Sequence, residues 1–175
     1  MDLDPDELAG VCDLFGGLTR AELATAVEEL AFRRGVDFEC ETHDAAVEAA
    51  REAYALVVLE ASSEDDALDA YVRSVLDDAG LDASTPLVVP GPRAFPVVPD
   101  GGADLPHILD VERRDVPEDA LEAAIRERLE SEVAALADGD LDPSRADLLL
   151  DVTYDAEAST GGDFECVRAE LDAYV

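Results

Sequence analysis

A carboxylate stands at a quarter of the positions in this chain and lysine is absent: 44 acids face 12 bases, all of them arginine, for a formal charge of −32 over 175 residues. Lysine is ordinarily among the commonest residues. Carboxylates are almost never fully buried unless paired, so any core must be built from the apolar positions left between them. At ordinary ionic strength a compact chain so charged repels itself. At molar salt the Debye length shrinks to about 3 Å and the repulsion is largely screened. The composition therefore describes a solvent, a cytosol of concentrated salt. A chain this acidic would be disordered if it were also poor in apolar residues. Its hydrophobic share is 48% and falls at helical spacing, so it is expected to fold, as one domain or two small ones.

The opening carries two complete helix signatures. Asp4, Pro5 and Glu7 read as N-cap, first-turn proline and capping box, with Leu3 and Leu8 as a hydrophobic staple. Leu8, Val11, Cys12 and Phe15 form the apolar face, and Gly16-Gly17 is the stop. Thr19, Glu22, Leu18 and Leu23 repeat the pattern for a second helix, whose stripe is Leu23, Val27, Leu30 and Ala31 and whose terminator is Gly35. A third helix is expected from near Thr42 or Asp44, with Val47, Ala50 and Tyr54 inward. Leu56 to Leu59 fits a strand or a helix end equally well. A fourth helical pattern starts at Ser63, with Leu68, Val72, Val75 and Leu76 on one face and Gly80 at its end.

Residues 83–99 hold no carboxylate; Arg93 is their only charge. Leu87-Val88-Val89 and Phe95 to Val98 read as two edge strands around a Pro90-Gly91-Pro92 turn, since so many prolines suit only a sheet edge. Gly101-Gly102 and Leu105-Pro106 lead into a second helical half. There Asp115 to Glu118 suggests a capping box before a helix carrying Leu121, Ile125, Leu129, Val133 and Leu136. Further helices follow from Asp142-Pro143, with Ala146, Leu149 and Leu150 inward, and after Gly161-Gly162, with Phe164, Val167 and Leu171. The expected fold is mainly α with a small β-hairpin: a winged-helix-like half over residues 1–100 and a helical half over 101–175, packed on the first.

Much chemistry is excluded at once. Without lysine there is no Walker A phosphate loop, no protein-kinase lysine and no Schiff base. Dinucleotide, nucleophile-elbow and zinc-hydrolase motifs are missing as well. Three cysteines, Cys12, Cys40 and Cys166, are odd in number and widely spaced, against a disulfide framework or zinc knuckle. His43 and His107 are the only imidazoles available as bases. Carboxylate pairs recur on every helix and single out nothing. No catalytic residue, cofactor or metal site is assigned. No run of apolar residues is long enough for a membrane span, and the acidic N-terminus is unlike a signal peptide, so a cytoplasmic location is expected.

Two binding surfaces are legible. The acid-free run offers Val88, Val89, Arg93 and Phe95 to another protein chain or a second copy, because acids are kept off only what is shielded or reserved. In a winged helix, Arg20, Arg33, Arg34 and a wing-tip Arg93 would reach phosphates, but Glu22, Glu28 and Glu29 on the second helix oppose this. The leading expectation is a non-catalytic regulatory or adaptor module that binds protein. A DNA-binding regulator is the alternative, and a small enzyme or enzyme subunit using His43 or His107 the third.

Three stretches also resemble an uncharacterised family of halophilic archaea: residues 6–23, Asp6-Glu7-Leu8-Ala9-Gly10-Val11 through Leu18-Thr19-Arg20-Ala21-Glu22-Leu23; Pro90-Gly91-Pro92 with Ala94-Phe95-Pro96; and Asp104-Leu105-Pro106-His107-Ile108-Leu109-Asp110-Val111. The resemblance implies no activity, and no functional residue follows from it.

Overall fold

Helix α1, Pro5–Phe15, begins as its local chemistry dictates: the Asp4 side chain accepts from the backbone of Glu7, whose own side chain returns the bond, and Gly16 closes the helix in the left-handed conformation. Helix α2, Arg20–Arg34, has the same box between Thr19 and Glu22 and ends at Gly35. Leu3, Leu8, Val11, Cys12, Phe15, Leu23, Val27 and Leu30 join one buried cluster. Both staples and both apolar faces are as expected. This computed structural model describes residues 1, 3–60, 73–74, 77, 82, 85–139, 141–142 and 144–175. The fourth helical pattern, from Ser63 to Gly80, lies outside the described residues except at isolated positions.

Helix α3, Cys40–Glu52, starts two residues before the expected Thr42, at a Glu39 N-cap that makes no side-chain cap bond. Its buried face is His43, Val47 and Ala50. Tyr54 is fully buried but sits past the helix end at φ 60°, where glycine is usual. The N–H of Ala55 reaches back to the Ala50 carbonyl at 2.9 Å and that of Tyr54 to Arg51 at 2.9 Å, so the turn is a Schellman-type stop with tyrosine in the glycine position.

That stop aims the chain into β2, Leu56–Leu59, which resolves the ambiguity of this run in favour of a strand. β2 pairs antiparallel with β3, Leu87–Pro90, in the register Val57 to Val89 and Val58 to Val88. A two-residue strand β1, Leu18–Thr19, pairs with the other side of β3. The sheet order is β1-β3-β2, and the described elements up to Pro90 follow in the order α1-β1-α2-α3-β2-β3. The expected pairing of residues 87–89 with 95–98 does not form. Leu56 to Leu59 offers an uninterrupted set of N–H donors, whereas Pro96 interrupts the other candidate. β3 is accordingly the central strand and not an edge.

Past β3 the chain crosses α1. The Phe95 N–H donates to the Asp6 carboxylate at 2.9 Å and the Val97 N–H to the Asp6 carbonyl at 3.0 Å. Gly10 allows this approach, since a Cβ there would lie 2.1 Å from the Val97 carbonyl oxygen. A single 3-10 turn, Gly102–Asp104, and a short helix α4, Leu105–Ile108, follow. Leu105 enters the core of this unit, and a stretch without helix or strand runs to Val116.

The chain forms two compact units, Met1–Val116 and Pro117–Val175. Residues 101–116, read from composition as part of the second half, thus belong with the first. The second unit contains α5, Glu118–Asp138; α6, Arg145–Thr160; and α7, Glu165–Leu171. The box suggested by Asp115 and Glu118 is not made: Pro117 occupies the N-cap, and no side chain caps it. Ile125, Leu129, Val133, Leu136, Ala146, Leu149, Val152, Phe164, Val167 and Leu171 are buried. Leu121 and Leu150, expected among them, are half-buried. The Arg126 guanidinium lies 4.5 Å from the centre of the Phe164 ring, and Arg168 pairs with Glu157 at 2.7 Å while lying over Tyr154. No helix among the described residues is long and apolar enough to cross a membrane.

Candidate functional site

In the winged-helix-like arrangement expected from sequence, α3 is the element that would lie in the major groove of DNA. Its solvent side carries Glu41, Asp44, Ala45, Ala49 and Glu52, with Glu48 half-buried beside them. The nearby arginines do not offset these charges outward. Arg20 pairs with Glu48, and Arg51 donates to the same carboxylate at 2.7 Å. The bond from Arg20 comes first in holding the Glu48 carboxyl below its usual range, burial opposing and Arg51 assisting. The face is left with carboxylates and two methyl groups.

The other arginines considered for phosphate contact are also engaged within the chain. Arg33 pairs with Asp104 at 2.7 Å, and Arg34 donates to the Asp100 carbonyl at 2.9 Å; together they fasten the end of α2 to the turn before α4. Arg93 is half-buried, its backbone N–H bonded to the Tyr54 carbonyl at 3.2 Å. It follows β3 directly and is not at a wing tip, because residues 60–86 are what join the two strands.

The acid-free run divides sharply. Val88 and Val89 are buried, at 0% and 2% exposure, inside the central strand, so they are core residues and present no surface. Phe95 is 78% exposed, and Val97 and Val98 with it are exposed on the segment crossing α1. Of the four residues grouped as a partner surface, Phe95 alone is an open apolar side chain.

The histidines do not converge. His43 lies buried on α3 with its ring 5.6 Å from that of Phe38; desolvation, reinforced by the positive field of Arg20 and opposed by Asp44, lowers its pKa. His107 is exposed on α4. Burial, with the Asp13 carboxylate adding, pushes the Cys12 thiol up to about 12, which makes it a packing residue. Cys40 and Cys166 are exposed free thiols. Asp44, with burial assisting, raises the pKa of Cys40, the wrong direction for a nucleophile. No group of three His, Cys, Asp or Glu among the described residues is arranged to hold a metal ion.

One cluster was not read from the sequence. Arg114 is buried, with its guanidinium forked onto Glu22: Nη2 to Oε1 at 2.7 Å and Nη1 to Oε2 at 2.9 Å. Burial works to raise the Glu22 carboxyl, but the bonds from Arg114 and Thr19 and the arginine's charge outweigh it and hold the group below its usual range. A partial signal was present: α1 has no basic residue in its last turn, which leaves its final carbonyls to water or to donors from elsewhere in the chain.

The geometry defines a class, a mainly helical α+β chain whose first unit holds a small three-stranded antiparallel sheet and an acidic third helix, joined in sequence to a helical unit. The chain belongs to DUF7109, a family of unknown function matched across residues 6–175. Neither the curated proteins nor the solved structures yield a match.

Proposed function

We propose that this protein is a non-catalytic regulatory or adaptor module of a salt-adapted, halophilic cytosol, and that its first unit docks another protein chain and does not bind DNA. The observation that carries this reading is the exposed face of α3. A winged helix that reads DNA needs donors and positive charge there, and this one displays Glu41, Asp44 and Glu52. Concentrated salt also removes most of the counterion-release contribution on which nucleic-acid affinity depends. Phe95, with Val97 and Val98, supplies the kind of apolar anchor around which protein interfaces form. The charge of −32 and the lack of lysine support the salt-adapted setting.

Sedimentation in molar potassium chloride tests the proposal. The purified chain is expected to self-associate or to remain with a co-purified partner, and Phe95→Asp is expected to abolish that association with Tm unchanged. A wild-type chain that sediments alone, or association that survives the substitution, removes the Phe95 surface from the account.

A further inference from the structure

The end of α1 is served by two consecutive arginines from the last residues of the first unit, about 100 positions away in sequence. Arg113 Nη1 donates to the carbonyls of Asp13 and Leu14. The backbone N–H of Arg114 donates to Phe15 at 2.8 Å, and its Nη1 to Gly17 at 2.7 Å. Acceptors at 13, 14, 15 and 17 are all satisfied in this way, and the cations sit where the helix dipole favours them. Gly16 lets the backbone seat flush, since a Cβ there would stand 1.9 Å from the Arg114 carbonyl oxygen.

Apart from these bonds, the stretch is anchored at its start by Leu109 and Val111, half-buried against the core. Across residues 109–116 Arg114 is the only buried residue; Leu109, Val111 and Val116 are half-buried and the rest exposed. In concentrated salt, exposed pairs such as Arg20–Glu48, at 43% and 47% side-chain exposure, are screened. The Arg114 side chain, at 6%, is shielded from that screening.

We propose that residues 109–116 are a latched strap and that the Arg114–Glu22 pair is its bolt. Release of the pair frees the segment leading to the second unit as a local event, with α1, α3 and the sheet still folded, and bares the carbonyls of residues 13, 14, 15 and 17. Segments with few buried apolar contacts open in this sub-global way.

Hydrogen exchange of the full chain in molar potassium chloride, read by mass spectrometry, tests the idea. Glu22→Gln keeps a side chain able to complete the capping box but removes the charge; Arg114→Lys keeps the charge but loses the fork. Both should speed exchange across 110–116 roughly ten- to a hundredfold, the loss of a charge-assisted bond, with α1, α3 and sheet amides unchanged. Unchanged exchange in the strap overturns the proposal, as does acceleration shared equally by α1 and the sheet. Should either variant fail to fold, the wild-type chain still decides. Exchange of the Arg114 amide should be insensitive to sub-denaturing guanidinium, and a denaturant dependence equal to that of the α1 core amides would show that there is no separate latch.

Discussion

At the scale of single residues, the sharpest consequences come from side chains whose surroundings invert an ordinary expectation. Alanine in place of an interior helical glycine ordinarily stabilises by about 1 kcal/mol. At Gly10 the added methyl would meet the Val97 carbonyl at 2.1 Å, so Gly10→Ala should instead destabilise by about 1–3 kcal/mol, measured by denaturant unfolding in high salt. His43 gives a pH dependence with a definite sign. Its folded pKa is below the ordinary 6.5, so under mildly acidic conditions the unfolded chain binds a proton that the folded chain refuses. Stability is then full above about pH 6.5 and falls as the pH drops toward the depressed folded value. Replacing His43 with Asn should flatten the Tm profile between about pH 7 and 5.5.

At the scale of elements, what could be read from sequence was what local chemistry controls. The capping boxes at Asp4 and Thr19 and the stops at Gly16 and Gly35 involve residues three or four apart, and both helices formed as their residues imply. Strand pairing is a long-range choice that no local pattern contains. Leu87-Val88-Val89 was legible as a strand, but its partners, Leu56 to Leu59 on one side and Leu18-Thr19 on the other, lie far away in sequence. The surface assigned to Val88 was lost with that pairing, and the exposure of Phe95 survived it. Arg114 escaped for a related reason: its partner, Glu22, is separated from it by most of the first unit. The placement of β3 predicts that Val88→Ala costs about 2 kcal/mol as a cavity in the central strand. Phe95→Ala, on an open segment, should stay within about 0.5 kcal/mol. Equal effects in chemical denaturation would contradict this division.

At the scale of the whole molecule, charge decides the conditions under which any of this operates. Self-repulsion at −32 is relieved by counterions, so Tm should climb as potassium chloride is raised from low to molar concentration; a Tm indifferent to salt would remove the argument that the acids are an adaptation to solvent. In so acidic a chain a carboxylate is no evidence of a site, but the open side of α3 carries Glu41, Asp44 and Glu52 while Arg20 of α2 and Arg51 pair with Glu48, and this supports the proposal that protein and not DNA docks there. The central claim is that this unit engages protein and not nucleic acid, and the most direct measurement is fluorescence anisotropy of a labelled DNA duplex, titrated with the protein at the lowest salt that keeps it folded. The account predicts no rise in anisotropy at any protein concentration. Binding that weakens steeply with added salt and is lost on replacing Arg20, Arg33 and Arg34 with alanine would contradict it.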